Sequence, residues 1–73
     1  MSSDLKDYRI AVKYVAEAER RVAEQRTEII GLFLNQKDIT DAVTELRLRE
    51  NALARMIKLR DEAAARLGLD VTE

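Results

Sequence analysis

The sequence predicts an all-α protein, an antiparallel two-helix hairpin with coiled-coil-like spacing that dimerises into a four-helix bundle. Three observations predict it. Apolar residues recur at alternating intervals of three and four along two long segments. The chain of 73 residues holds no proline and two glycines. Charged residues make up 37% of it and apolar residues 47%, a mixture of core and solvated face built from helix formers.

The first segment carries Tyr8, Ala11, Val15, Ala18, Val22, Gln25, Ile29 and Leu32, one stripe with a single polar member. It predicts a helix over about 4–34. Ser3 or Asp4 is placed to cap its start, and Asp7 in the first turn suits the positive end of the helix dipole. Gly31 is unfavourable inside a helix, yet Leu32, Phe33 and Leu34 keep the phase. The helix is therefore expected to run to Leu34 and to end on Asn35 as a left-handed cap. The turn takes about 35–37, that is Asn35, Gln36 and Lys37.

The second stripe reads Ile39, Val43, Leu46, Glu50, Leu53, Ile57, Arg60, Ala64 and Leu67. It predicts a helix over about 38–67, capped by Asp38 and stopped by Gly68, with a short C-terminal tail at 68–73. So short a connection forces the helices antiparallel and leaves one domain over 1–73.

A turn centred there pairs residues whose numbers total about 75. Leu32 then meets Val43, Ile29 meets Leu46, Val22 meets Leu53, Ala18 meets Ile57, Ala11 meets Ala64 and Tyr8 meets Leu67. The expected seam is thus Tyr8, Val15, Val22, Ile29 and Leu32 against Val43, Leu46, Leu53, Ile57 and Leu67. The same rule sets Gln25 opposite Glu50, with Arg26 within reach. A carboxylate in an apolar stripe costs free energy unless it is paired, so Gln25, Arg26 and Glu50 form a candidate polar register contact. Arg60, opposite Val15, is expected to snorkel to the surface beside Asp61 or toward a partner's carboxylate.

A second apolar set lies beyond the seam. Val12, Ala16, Ala23, Ile30 and Phe33 on the first helix, with Met56 and Leu59 on the second, form the candidate oligomer face, and Ala42 and Ala63 join the set. A chain this small needs a staple. With no cysteine and no histidine, disulfides are ruled out, a zinc site is implausible and oligomerisation remains. A homodimer follows as the expected partner state, with an unidentified protein as a further partner.

The residues offer little chemistry. Glu17, Glu24, Glu28, Glu45 and Glu50 invite comparison with carboxylate-bridged metal bundles, but those sites pair carboxylates with histidine. Ser2 and Ser3 have no positioned base, and Gly31 and Gly68 stand alone rather than in a phosphate-binding loop. No catalytic, cofactor-binding or metal-ligating residue is expected, and no small-molecule substrate. Arg9, Lys13, Arg20 and Arg21 on one helix and Arg47, Arg49, Arg55 and Lys58 on the other could make a ridge for RNA phosphates. Glu17, Glu24, Asp41 and Glu45 interrupt it, and the net charge is -1. A non-enzymatic, self-associating interaction or scaffold module is the function expected, with a small RNA-binding or regulatory bundle as the alternative. No apolar run approaches the ~18 residues of a membrane span, and residues 1–13 lack the apolar stretch of a signal peptide. The expected location is the cytoplasm.

Val15 to Arg26, VAEAERRVAEQR, followed by Ala42, Leu46, Glu50, Leu53 and the closing pair Arg60 and Asp61, resembles a group of short helical-hairpin proteins of rhizobia and other alphaproteobacteria. Those read V-A-E-x-E-R-x-[IV]-x-x-Q-R, a turn, then A-x-x-L-L, a glutamate-containing stripe and an R-D pair. They commonly place Asp-Gly-His in the turn, where this chain has Gln36, Lys37 and Asp38. The resemblance spans about Val15 to Asp61 and implies a helical hairpin and a bacterial source. It implies no activity.

Overall fold

The computed structural model of the protein describes residues 3–69. Two helices fill almost all of it: α1, Ser3–Leu34, and α2, Thr40–Arg66. They pack against each other as an all-α hairpin. The rod measures 53 × 21 × 17 Å, with a radius of gyration of 15.9 Å. A compact chain of this length would have a radius near 11 Å, so the hairpin exposes far more of itself than a globule does.

The ends of the helices follow from local chemistry. The left-handed residue after α1 is Gln36, with φ at 58°, rather than the expected Asn35. Asn35 instead closes the last turn. Its N–H donates to the Gly31 carbonyl at 3.1 Å and its side-chain amide donates to the same oxygen at 2.8 Å. Gln36 N–H then reaches the Phe33 carbonyl at 3.0 Å, and Lys37 N–H the Leu32 carbonyl at 2.8 Å. This nested pair of bonds is a Schellman motif, which satisfies the carbonyls that a helix end orphans.

The end of α2 repeats the device with Gly68, φ 78°, in the left-handed position. Gly68 N–H donates to the Ala65 carbonyl at 3.0 Å and Leu69 N–H to the Ala64 carbonyl at 2.9 Å. Beyond Leu69 the rest of the 68–73 tail lies outside the described residues.

Helix α2 starts at Thr40, with Ile39 rather than Asp38 in the flanking position. Asp38 still performs the capping chemistry, because its carboxylate accepts the Thr40 N–H at 2.9 Å and the Thr40 hydroxyl at 2.7 Å. Those two bonds favour the ionised form and hold the Asp38 carboxyl below its ordinary value, against a smaller opposing effect of burial. Helix α1 already includes Ser3 and Asp4, so neither is the flanking residue that the sequence suggested.

The core is a narrow strip between the helices. Among the described residues its buried apolar members are Ala11, Val15, Val22, Ala42, Ala63 and Ala64, and Gln25 is buried with them. Four of those six apolar residues are alanine. Ala42 and Ala63, which the sequence pattern assigned to an outward-facing set, are therefore seam residues, with Ala63 only 1% exposed. Small side chains let two helices approach closely, and the larger stripe residues are left at the margins.

Candidate interaction surface

The expected seam residues fall into three levels. Val15 and Val22 are buried; Tyr8, Ile29, Leu32, Leu46, Leu53, Ile57 and Leu67 are half-buried; Val43 is exposed. Each helix thus turns its stripe toward its neighbour, but the neighbour is too slim to cover it.

The polar contact in mid-seam takes a form different from the one expected. Gln25 is buried, and its amide donates to Glu28 of its own helix at 3.2 Å. Glu50 leans out of the seam and accepts a hydrogen bond from Arg26 Nη2 at 3.1 Å. The side chains of Arg26 and Glu50 are 61% and 43% exposed, so the carboxylate keeps its water and the pair is a surface bridge across the seam. Pairs so exposed contribute roughly 0.2 to 1 kcal/mol. Arg60 bonds Asp61 at 3.0 and 3.1 Å, both part-buried.

The candidate oligomer face does not form one surface. Val12 and Ala16 line a shallow groove of about 410 Å³ with Tyr8, Glu19 and Arg60. Met56 and Leu59 line a different one, and Tyr14 and Ile10 of α1 lie there with them. At 3.6 residues per turn, Tyr14 points about 160 to 200° away from Val12 and Ala16 around α1, so the two grooves lie on opposite flanks of the seam. Ile30 and Phe33, 59% and 68% exposed, sit near the turn beside Leu34 at 73%. Ala23 is exposed midway along α1.

The flank that holds Met56 and Leu59 is the more developed. An open groove of about 570 Å³ runs between Tyr14 and Ala18 of α1 and Leu48, Ala52 and Met56 of α2. A smaller groove of about 240 Å³ continues it toward the chain ends, past Ile10 and Leu59. Tyr14 and Met56 line both. Ile10, Tyr14 and Leu48 were not singled out by the sequence pattern. Their signal was present as a second spacing, Leu48, Ala52, Met56 and Leu59 on α2 and Ile10 and Tyr14 on α1, but charged residues at Glu17, Arg21, Glu45 and Arg49 break it.

Those charged residues form the rim. Arg21 Nε donates to Glu17 at 3.2 Å and Arg49 Nε to Glu45 at 3.4 Å. Arg49 also donates through Nη1 to the Arg21 carbonyl at 3.1 Å, bridging the helices. Arg20 binds both Glu17 and Glu24, and its hydrogen bond holds the Glu17 carboxyl below the usual glutamate range. The same bond raises Arg20. At the open end Arg66 faces Asp4 at 3.5 Å and Asp7 at 4.0 Å.

Of the basic ridge proposed from sequence, Arg20, Arg21 and Arg49 are each engaged by a carboxylate. Among the described residues no cluster of three or more histidine, cysteine, aspartate or glutamate side chains could hold a metal ion. No helix among them is long and apolar enough to cross a membrane. The chain matches no protein-family model, no curated protein and no solved structure.

Proposed function

We propose that this protein is a non-enzymatic, self-associating helical interaction module, two hairpins joining as a homodimeric four-helix bundle. The observation that carries this reading is the mismatch between a core made mostly of alanine and the large apolar groups left outside it. Tyr14, Leu48 and Leu59 are 54%, 58% and 51% exposed. The accessible surface of 5745 Å² exceeds by about 1,100 Å² that of a compact monomer of 8.4 kDa. A lone hairpin gains little burial against the entropy of ordering its chain, whereas a second hairpin would cover the exposed side chains.

Sedimentation equilibrium tests the reading. A dimer at tens of micromolar, with a melting temperature that rises with protein concentration, is the expected result. A single species of 8.4 kDa at that concentration overturns it. The rival reading, an RNA-binding bundle, draws no support from the ion pairs. Gel shifts with structured RNA at physiological salt are expected to give no submicromolar binding.

A further inference from the structure

We propose that the groove centred on Tyr14 and Met56 is the surface through which two copies associate, in an antiparallel arrangement that sets their turns at opposite ends. The inference rests on the self-association reading above and names its surface and geometry.

Area argues for a second copy. The excess accessible surface of two chains is about 2,200 Å², within the range that permanent homodimer interfaces remove. The flanks differ in what they offer. One groove presents Ile10, Tyr14, Leu48 and Leu59, each at least 39% exposed. The other flank exposes Val12 and, five turns further along the same face of α1, Ile30, but these two stand far apart, and Glu19 and Arg60 share the lining of the groove at Val12. The Arg26–Glu50 bridge also spans the seam with both side chains in water, which suits a flank that stays wet.

Charge argues that the partner is like the chain itself. The rim carries Asp7, Glu17 and Glu45 and also Arg21, Arg49 and Arg66, three of each sign. A balanced rim repels neither itself nor a copy of itself, and a two-fold axis can bring unlike charges together. A strongly acidic or basic partner finds no complementary field there.

Shape selects the orientation. The half of the groove nearer the turn has the larger volume, about 570 Å³, and offers Leu48; the half nearer the chain ends has the smaller, about 240 Å³, and offers Ile10 and Leu59. A two-fold axis crossing the rods near Tyr14 and Met56 lays the end that projects two large side chains over the partner's larger half. Leu48 then enters the partner's smaller half. An axis along the rods would instead face the two larger halves to each other and leave a void, which helix packing disfavours.

The full chain is tested by sedimentation as wild type, Tyr14→Arg, Leu48→Arg and Val12→Arg. The expected result is that the first two substitutions weaken the dimer at least about tenfold, as a charge buried in an interface centre does, while Val12→Arg leaves it unchanged. A dimer undisturbed by Tyr14→Arg and Leu48→Arg, or lost in Val12→Arg alone, overturns the surface. A wild-type monomer overturns the self-association reading itself, so the two failures are distinct.

A second measurement avoids buried charge. The chain has no cysteine, so Leu48→Cys and a mass-tagged Ile10→Cys chain can be mixed and oxidised. Mixed disulfides in excess over self-linked ones are expected; self-linked species in excess overturn the antiparallel arrangement.

Discussion

The half of the hairpin near the chain ends and the half near the turn are packed by different means. Near the ends, Ala11, Val15, Ala63 and Ala64 are buried, the last two 1% and 0% exposed. Near the turn, Val22, Gln25 and Ala42 are buried, but Ile29, Leu32 and Leu46 are half-buried and Ile30, Phe33 and Leu34 lie in the open. In a pair of helices small side chains are readily buried, because they fit where the backbones come close; Val15, Val22 and Gln25 are the larger residues buried with them. Large apolar residues need a third neighbour to be covered, and the hairpin has none to offer.

The contrast breaks most readily at the alanines. Ala64→Leu forces extra atoms into a contact with no free surface and is expected to cost about 1 to 3 kcal/mol, read as a lower midpoint in denaturant melts. Ala42→Leu, among half-buried neighbours, should cost less. The reverse order would show that the two halves are equally tight.

The helix ends sharpen the comparison, since the same motif is closed by glycine at one end and by glutamine at the other. Gly68→Ala places a Cβ on a left-handed backbone and is expected to destabilise by roughly 1 kcal/mol. Gln36→Gly relieves the same penalty and should stabilise by a similar amount. Equal and opposite shifts in melting midpoint are the test, and a loss of stability in Gln36→Gly would contradict it.

A smaller effect belongs to the bridge across the turn half. Arg26→Ala is expected to cost roughly 0.2 to 1 kcal/mol, the range for exposed pairs, and Glu50→Leu to leave stability unchanged or raise it. The double-mutant cycle reads their coupling directly. A coupling well above that range would place Glu50 in the seam rather than at its margin.

The smallest effect is the pH dependence of the start of α2. Thr40 holds Asp38 below its ordinary value, so the carboxylate favours the folded helix start at neutral pH. That contribution is complete above the unfolded aspartate pKa of about 3.9. It is lost as pH falls through the lower folded value. Carboxyl NMR should show Asp38 titrating below the ordinary aspartate value, and Thr40→Ala should move it back toward that value.

The stripe spacing made both helices and the short connection legible, since Val15, Val22, Ala11 and Ala64 each stand where a three-four period predicts a neighbour. Depth was not legible. The pairing rule set Glu50 at the level of Gln25 along the rod, but spacing alone does not say that its side chain bends outward to Arg26. Asn35 was the natural choice for a left-handed residue; its side chain is more useful bonded to the Gly31 carbonyl, which passes the positive φ to Gln36. The outward faces were hidden for a geometric reason. One-dimensional spacing does not carry the handedness that sends Val12 to one flank and Met56 to the other.

The nesting of every interhelix contact around one turn has a consequence for how the chain reaches its fold. Arg26 and Glu50 are separated by 24 residues, and Arg49 and the Arg21 carbonyl by 28. A chain that closes its turn first meets the loop-closure cost once, and each further contact lengthens two helices already aligned. Such nested, orderly growth resembles the closing of a zipper and belongs to the fast end of folding rates. The alanine-lined ends close last. Ala64→Leu should therefore speed unfolding and leave the folding rate nearly untouched, whereas truncating Ile29 or Leu46 should slow folding itself.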